Sequence, residues 1–311
     1  MDFPRALPAE ELGFKGIIYK KKDGVATVTI NRPEVLNALD FPTLKEMSRA
    51  FEDASYDDEV GVIVLTGMGD RAFCTGADLG EQEQFLYKRN DYWKWMGAFI
   101  EAHDRLRNIG KPTIARLNGI VVGGGNEFNI ACDLAIAADD IHIRQVGTSR
   151  GSVPAGGATQ WLPIIIGDRR AREMLWLCEP VSAQKALEWG LVNQVVPRTQ
   201  LNAAVAEMAS KLLDKMPEII RYAKQQTNFW RDFSWSLTVG HARDWLSVHA
   251  DAEETEEGLD AFYEKRPVEY DKLRRRQGER STKCGQCATV MNARYSFCGQ
   301  CGAPLEGGVD G

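Results

Sequence analysis

The sequence predicts an α/β fold that gives way to a helical C-terminal region and ends in a small metal-binding tail. Three patterns carry that reading. Short apolar runs bounded by turn residues alternate with helix-period segments from Ile17 to Val196, as in layered strands and helices. From Leu201 to Phe262 the apolar period is helical alone. Four cysteines then stand as two Cys-x-x-Cys pairs, Cys284 with Cys287 and Cys298 with Cys301.

Residues 17–19 and 25–30 flank the turn pair Asp23-Gly24, which predicts a β-hairpin stopped by Asn31-Arg32-Pro33. Residues 41–54 are helical, with Leu44, Met47, Ala50, Phe51 and Ala54 recurring on one face. Residues 60–65 read as a buried strand ending at Thr66-Gly67, followed by the loop 73–79. Residues 81–108 form a helix bearing Phe85, Tyr87, Tyr92, Trp93, Trp95 and Phe99. Part of that aromatic set packs in a core and part is free to roof a flat apolar ligand. Strands at 113–117 and 134–138 enclose a glycine turn and helix, and 142–157 is a glycine-bearing loop. Helices at 159–166, 169–177 and 182–189, the last capped by Ser182, precede a strand at 191–196. Helices at 201–216, 217–229 and 236–262 complete the region, which packs on a further surface such as a neighbouring subunit. Residues 271–283, with Arg274-Arg275-Arg276, read as a charged, solvated linker.

With 44% hydrophobic and 26% charged residues, the composition is that of a globular protein, and no apolar run approaches a membrane span. The first 14 residues lack an apolar signal core, so the expected location is cytoplasmic. A net charge of −6 argues against a surface that coats nucleic acid. Cys74, Cys132 and Cys178 sit in apolar or mixed context and read as buried thiols. His103, His142, His241 and His249 have no ligand spacing and read as structural.

The stretch most suited to chemistry is Asn118-Gly-Ile-Val-Val-Gly-Gly-Gly-Asn-Glu-Phe-Asn-Ile-Ala-Cys-Asp133. Gly123–Gly125 open a helix whose first amides are unpaired and carry the positive end of its dipole. Such amides suit a phosphate or the oxyanion of a thioester enolate. Glu127, in the first turn, is close enough to handle a proton.

Residues 15–270 resemble the crotonase, or enoyl-CoA hydratase/isomerase, superfamily. The resemblance rests on Ile30-Asn-Arg-Pro-Glu-Val-Leu-Asn-Ala-Leu39, Ala72-Phe-Cys-Thr-Gly-Ala-Asp-Leu79, the stretch 118–133, Ala186-Leu-Glu-Trp-Gly-Leu-Val-Asn-Gln-Val-Val-Pro197 and Glu256-Glu-Gly-Leu-Asp-Ala-Phe-Tyr-Glu-Lys-Arg-Pro267. It implies a spiral of ββα turns, a homotrimer or dimer of trimers built through the C-terminal helices, and an acyl-CoA substrate. It also implies an oxyanion hole from the amides of Ala77 and Gly124, and CoA contacts from Val35, Leu36 and Ala38. Phe262 and Lys265 would reach a neighbouring subunit's nucleotide.

Hydratases of this family place two glutamates about one water; Glu127 matches the first, and Gly147 stands where the second would be. Gln145-Val-Gly-Thr-Ser-Arg-Gly-Ser152 resembles the 1,4-dihydroxy-2-naphthoyl-CoA synthase branch, in which a glycine leaves room for bicarbonate. Gly156-Gly-Ala-Thr-Gln-Trp-Leu-Pro163 with Leu177-Cys-Glu-Pro180 resembles the ring-opening 6-oxocyclohexenecarbonyl-CoA hydrolases. The expected activity is water addition to a cyclic or aromatic-derived enoyl-CoA, with Trp93, Trp95 and Gly147 in the pocket and water or bicarbonate near Gly147. The alternatives are an isomerase or C–C bond-forming synthase using the same oxyanion hole, and a non-enzymatic scaffold or nucleic-acid binder.

Ten residues separate the cysteine pairs of the tail, the spacing of a zinc ribbon in which Cys284, Cys287, Cys298 and Cys301 fill one tetrahedral shell. Four thiolates leave no open position, so the zinc is structural, and the module is free to meet a protein partner. Glycines after the first cysteine of each pair, and after Cys301, suit the tight turns. The expected organisation is an extension at 1–14, an acyl-CoA domain at 15–270, a linker at 271–283 and a ribbon at 284–311.

Overall fold

The computed structural model describes residues 6–85, 88–275, 281–292 and 295–305, so Tyr87 and Arg276 lie outside the described residues. The chain's own contacts divide it into two units, Met1–Thr255 and Glu256–Gly311.

The first unit begins with the predicted hairpin, β1 (Ile17–Lys22) and β2 (Val25–Ile30), turning through Asp23 and Gly24 at positive φ. α1 (Phe41–Tyr56) starts where the Asp40 carboxylate accepts the Thr43 amide at 2.9 Å. β3 (Val62–Gly67), buried throughout, and β4 (Ala72–Cys74) lead to α2 (Leu79–Glu83) and α3 (Arg89–Arg107). β5 (Thr113–Leu117), β6 (Ile120–Val122) and α4 (Gly124–Ala131) form the next turn, followed by β7 (Leu134–Ala138) and β8 (His142–Arg144). After the loop come α5 (Ala158–Ile166), α6 (Asp168–Leu177), β9 (Val181–Ser182), α7 (Ala183–Trp189) and β10 (Gln194–Val196). α8 (Leu201–Leu213) and the long α9 (Pro217–Val248) complete the unit, apart from the first residues of α10 (Glu253–Tyr263).

β1-β2-β3-β5-β7-β10 make a six-stranded sheet, and β4-β6-β8-β9 a second sheet of four. Successive strands alternate between the two: β3, β5 and β7 enter the first, while β4, β6 and β8 enter the second. Each ββα step therefore advances both sheets by one strand, which is the predicted spiral. Phe51, Phe73, Phe128 and Trp161 are fully buried in its core.

Three readings are corrected. The helix expected over 81–108 is two, because Lys88 leaves the helical region at φ −123° and ψ 61°. The helices expected at 217–229 and 236–262 are instead continuous across 230–235 and broken after Val248. Periodicity misleads there because the first half of α9 is inside out, whereas its second half buries Ala242 and Leu246 in the ordinary way. The helix buries Lys224, Asn228 and Trp235, and exposes Phe229, Trp230 and Phe233. The strand expected at 191–196 is only β10, while β4, β6, β8 and β9 are too short for a period-2 signal. No described helix is long and apolar enough to cross a membrane.

In the second unit, α11 (Tyr270–Arg275) occupies the start of the stretch read as a linker. β11 (Ser281–Lys283) pairs antiparallel with β12 (Val290–Asn292), so the tail's ordered pairing begins before its first cysteine.

Candidate active site and metal centre

Two loops and the start of α4 meet at the site. Leu39 and Ala77 form an isolated parallel bridge, in which Leu39 donates to the Gly76 carbonyl at 2.8 Å and Asp78 to the Leu39 carbonyl at 2.9 Å. That pattern leaves the Ala77 N–H outside the bridge. Arg32 locks the loops together, reaching Asp40 at 3.1 Å and Asp78 at 2.9 Å. Asn37 completes the lock, donating to the carbonyls of Met68 (3.0 Å) and Ala72 (2.8 Å). Ala38 thus directly precedes the residue bridged to Ala77, and the Thr75 hydroxyl donates to the Leu36 carbonyl at 3.2 Å.

Gly76 lies at φ 92°, a region that favours glycine, and a Cβ there would stand 3.0 Å from the Gly124 amide nitrogen. Gly123, at φ 54° and ψ −120°, turns the chain into α4 so that Gly124 contributes the first unpaired N–H. The loop carrying Ala77 and the positive end of α4 are thus in contact, an arrangement able to stabilise a developing negative charge.

One turn on, Glu127 is only 4% exposed. Its Oε1 accepts the amides of Gly156 at 2.8 Å and Ala158 at 3.3 Å, at the start of α5. Burial pushes its carboxyl up to about 7, against the opposing pull of those amides. Among the described residues, Oε2 makes no hydrogen bond. A Cβ on Gly156 would lie 2.8 Å from Oε2 and 2.7 Å from the Phe99 ring, so glycine lets acid and ring converge. Such a group titrates near neutrality and can exchange a proton with a carbon placed beside it.

Phe99 stacks on Trp95 at 5.4 Å, and the Trp95 indole donates to Glu81 at 2.6 Å. On its other side Phe99 meets Phe128 edge-on at 5.7 Å. His103 is fully buried and held neutral, its ring lowered to about 3 by burial; its Nδ1–H donates to the Phe99 carbonyl.

The enoyl-CoA hydratase/isomerase family model matches residues 20–273. The chain belongs to this family. It is similar in structure to an enoyl-CoA hydratase from Mycobacterium avium subsp. paratuberculosis K-10. That match has 28% identity, a TM-score of 0.74, and covers 82% of this chain and 98% of that one. An enoyl-CoA hydratase from Bacillus anthracis matches at 30% identity and a TM-score of 0.67, with coverage of 82% and 98%. One from Geobacillus kaustophilus HTA426 matches at 32% and 0.65, with coverage of 82% and 97%. This member of the family is therefore an enzyme of the enoyl-CoA hydratase/isomerase type, whose members act on CoA thioesters.

The fold brings Ala77, Gly124 and Glu127 together, with Leu36 and Ala38 on the loop bridged to Ala77 and Val35 39% exposed on the same loop. Trp95 joins them through Phe99. Trp93 does not: it is 41% exposed, lies under the Arg243 guanidinium and donates to Asp244 at 3.1 Å. A two-residue step on α3 turns it away from Trp95. A Cβ on Gly147 would meet the Ser152 carbonyl at 2.9 Å and Pro154 Cδ at 3.2 Å, and Ser152 and Arg150 both donate to the Gly147 carbonyl at 2.9 Å. The direction a second glutamate would take is filled by backbone, which corrects the expectation of room for bicarbonate. Phe262 (44% exposed) and Lys265 (φ 55°) belong to the second unit. The sequence lists Phe99 only among the helix aromatics and Gly156 only within the motif 156–163, neither placed beside Glu127; the pair of glycines at 156–157 before a helix is the available signal.

Beyond the family match, the four tail cysteines bring their Sγ atoms within 4.8 Å of one another. Cys284 and Cys301 are 3.6 Å apart and Cys287 and Cys298 3.5 Å, near the ~3.8 Å edge of a tetrahedron with metal–sulfur bonds of about 2.3 Å. The two turns repeat one pattern. The Cys284 amide donates to Thr289 O and Ala288 N to Cys284 O, each at 2.9 Å. The Cys298 amide donates to Ala303 O at 2.7 Å and Gly302 N to Cys298 O at 2.8 Å. Ala288 and Gly302 occupy equivalent places at φ 58° and 75°. Gly285 and Gly299 do not adopt positive φ, so the turns depend on the residue after the second cysteine of each pair.

Proposed function

We propose that the chain adds water to a cyclic or aromatic-derived enoyl-CoA through a thioester enolate, using one carboxylate. The single observation carrying this reading is Glu127, fixed through Oε1, open at Oε2, and one helical turn from the Gly124 amide. In this reading the amides of Ala77 and Gly124 hold the thioester oxygen. Ionised Glu127 takes a proton from water as its oxygen bonds the β-carbon, the carbon–carbon π electrons move onto the carbonyl oxygen, and Glu127 returns the proton to the α-carbon. Atoms and charge balance with no second acid. Each oxyanion donor would supply about 3 kcal/mol.

The stacked Phe99–Trp95 wall beside Oε2 supports a planar acyl group, as in the ring-opening hydrolase branch. Val35, Leu36 and Ala38 line the CoA approach. Phe262 and Lys265 reach the nucleotide bound to a neighbouring subunit. The exposed aromatic face of α9 supports a homotrimer or dimer of trimers, and the division into a 15–270 body, a 271–283 linker and a 284–311 ribbon is retained. In the ribbon, Cys284, Cys287, Cys298 and Cys301 hold a structural zinc, which supplies cross-linking and no chemistry; cytoplasmic location remains part of this proposal.

The absence of a partner carboxylate at Gly147 favours one second reading, an isomerase in which Glu127 carries a proton between carbons. Incubation of cyclic and linear enoyl-CoAs in ¹⁸O-labelled water separates them. Incorporated label supports hydration; double-bond migration without label supports isomerisation.

A further inference from the structure

The inside-out character of α9 has a specific content. Its inner face runs Lys224, Asn228, Arg231 and Trp235, at helical spacing, with Arg231 half-buried and the other three buried, and each member is engaged. Asn228 donates to the Arg107 carbonyl at 3.5 Å and Trp235 to Asp104 at 2.7 Å. The two cations converge on one place. Lys224 binds the Asp133 carboxylate at 2.8 Å and the Lys111 carbonyl at 2.9 Å. Arg231 donates to the Ile130 carbonyl.

Ile130 lies in the last turn of α4, the helix whose first residue is Gly124, and Asp133 stands two residues past its end. Eight residues make a rod about 12 Å long, too short to bend usefully, so movement of one end is passed to the other. The Arg231 charge at the C-terminal end also complements the dipole that makes the N-terminal end attractive to anions, while Lys224 neutralises Asp133 there. Asp133 is tied to the sheet as well, accepting from the Thr113 amide (2.8 Å) and hydroxyl (2.9 Å). Arg231 further lies 5.0 Å from the centre of the Trp161 ring, and its carbonyl accepts the Trp161 indole at 3.2 Å. Trp161 belongs to α5, whose first amides hold Glu127. One residue of α9 therefore touches both helices that build the site.

We propose that Lys224 and Arg231 are positioning residues, a two-cation clamp by which α9 fixes α4 and α5 so that the Gly124 amide and Glu127 keep their places. This rests on the oxyanion-hole reading above. Neither cation contacts the reacting atoms.

The test uses the full chain and acetoacetyl-CoA, whose enolate absorbs in the near ultraviolet, with CoA alone as the binding control. Wild type is expected to raise the enolate fraction of the bound ligand. Arg231→Met should lower that fraction about tenfold, equivalent to the loss of roughly 1.4 kcal/mol of preference for the charged form, while CoA affinity stays within about twofold. Arg231→Lys should recover part of the signal, and Lys224→Met should lose signal as Arg231→Met does. The clamp is overturned if folded Arg231→Met and Lys224→Met give the wild-type enolate fraction, or if enolate and CoA affinity fall in parallel. Should Arg231→Met fail to fold, Lys224→Met and Arg231→Lys decide by the same criteria. Wild type that binds acetoacetyl-CoA without enolising it would instead refute the oxyanion hole, and the clamp with it.

Discussion

The ββα body and the cysteine ribbon both depend on backbone amides presented by tight turns, yet they are stabilised in opposite ways. The body surrounds Gly124 and Glu127 with a continuous apolar core running from Leu12 to Ala250. The ribbon's buried cluster is Cys284, Cys298 and Leu305, with Cys287, Met291 and Ala303 against it. A core of that size cannot offset the entropy of ordering its turns. Burial in the body lets an acid be held near its titration point; in the tail, a metal held by the four cysteines would substitute for burial.

The largest expected effect breaks this comparison at the ribbon. Structural zinc contributes on the order of 10–16 kcal/mol in modules of this kind, so chelation should unfold it. One zinc per chain is expected by elemental analysis, lost in the Cys284→Ser, Cys301→Ser double variant, while the body's thermal transition and turnover persist. Metal-free protein with an intact β11–β12 hairpin by NMR would show that the ribbon stabilises itself.

In the body, Trp95→Ala should cost roughly 3–5 kcal/mol of stability and weaken cyclic acyl-CoA binding more than CoA binding, because it removes the stack behind Phe99. Trp93→Ala should cost about 1 kcal/mol or less and leave both affinities unchanged, since only the Arg243 and Asp244 contacts go. Reversed ranks in calorimetry and denaturation would put the acyl wall on the other face of α3. Between these two falls Gly147→Glu. Its side chain meets the Ser152 carbonyl, so a loss of about 1–3 kcal/mol is expected with no gain in linear enoyl-CoA hydration. A variant that hydrates crotonyl-CoA faster than wild type would show that the loop opens to admit a second acid.

Much of this was legible. β5 and β7 stand at their predicted bounds because buried parallel strands read as apolar runs between turn signals. Gly124 and Glu127 could be read because the glycine run, helix start and acid are adjacent in sequence. What joins them to the rest is not adjacent. Phe99, Gly156 and Glu127 meet across three elements, and Arg231 reaches Ile130 from 101 residues away. α9 was misread for a physical reason: the pattern rule assigns apolar residues to the inner face, whereas Lys224 is buried against Asp133 and half-buried Arg231 satisfies the end of another helix. Gly147 suggested a vacancy from composition alone; only the backbone path through Ser152 shows that its side-chain direction is filled.

The most direct test of the site is the pH dependence of turnover with Glu127 intact and as Glu127→Gln. A base must be ionised, so kcat/KM on the true acyl-CoA should fall as pH drops through about 7, the point to which burial raises this carboxyl, and level off above it. Glu127→Gln should lower kcat by roughly 10²–10⁴ and abolish that limb, while CoA-thioester binding survives. Near-normal turnover in the glutamine variant, with the same acid limb, would mean that the proton is carried by another group and that Glu127 only holds the start of α5.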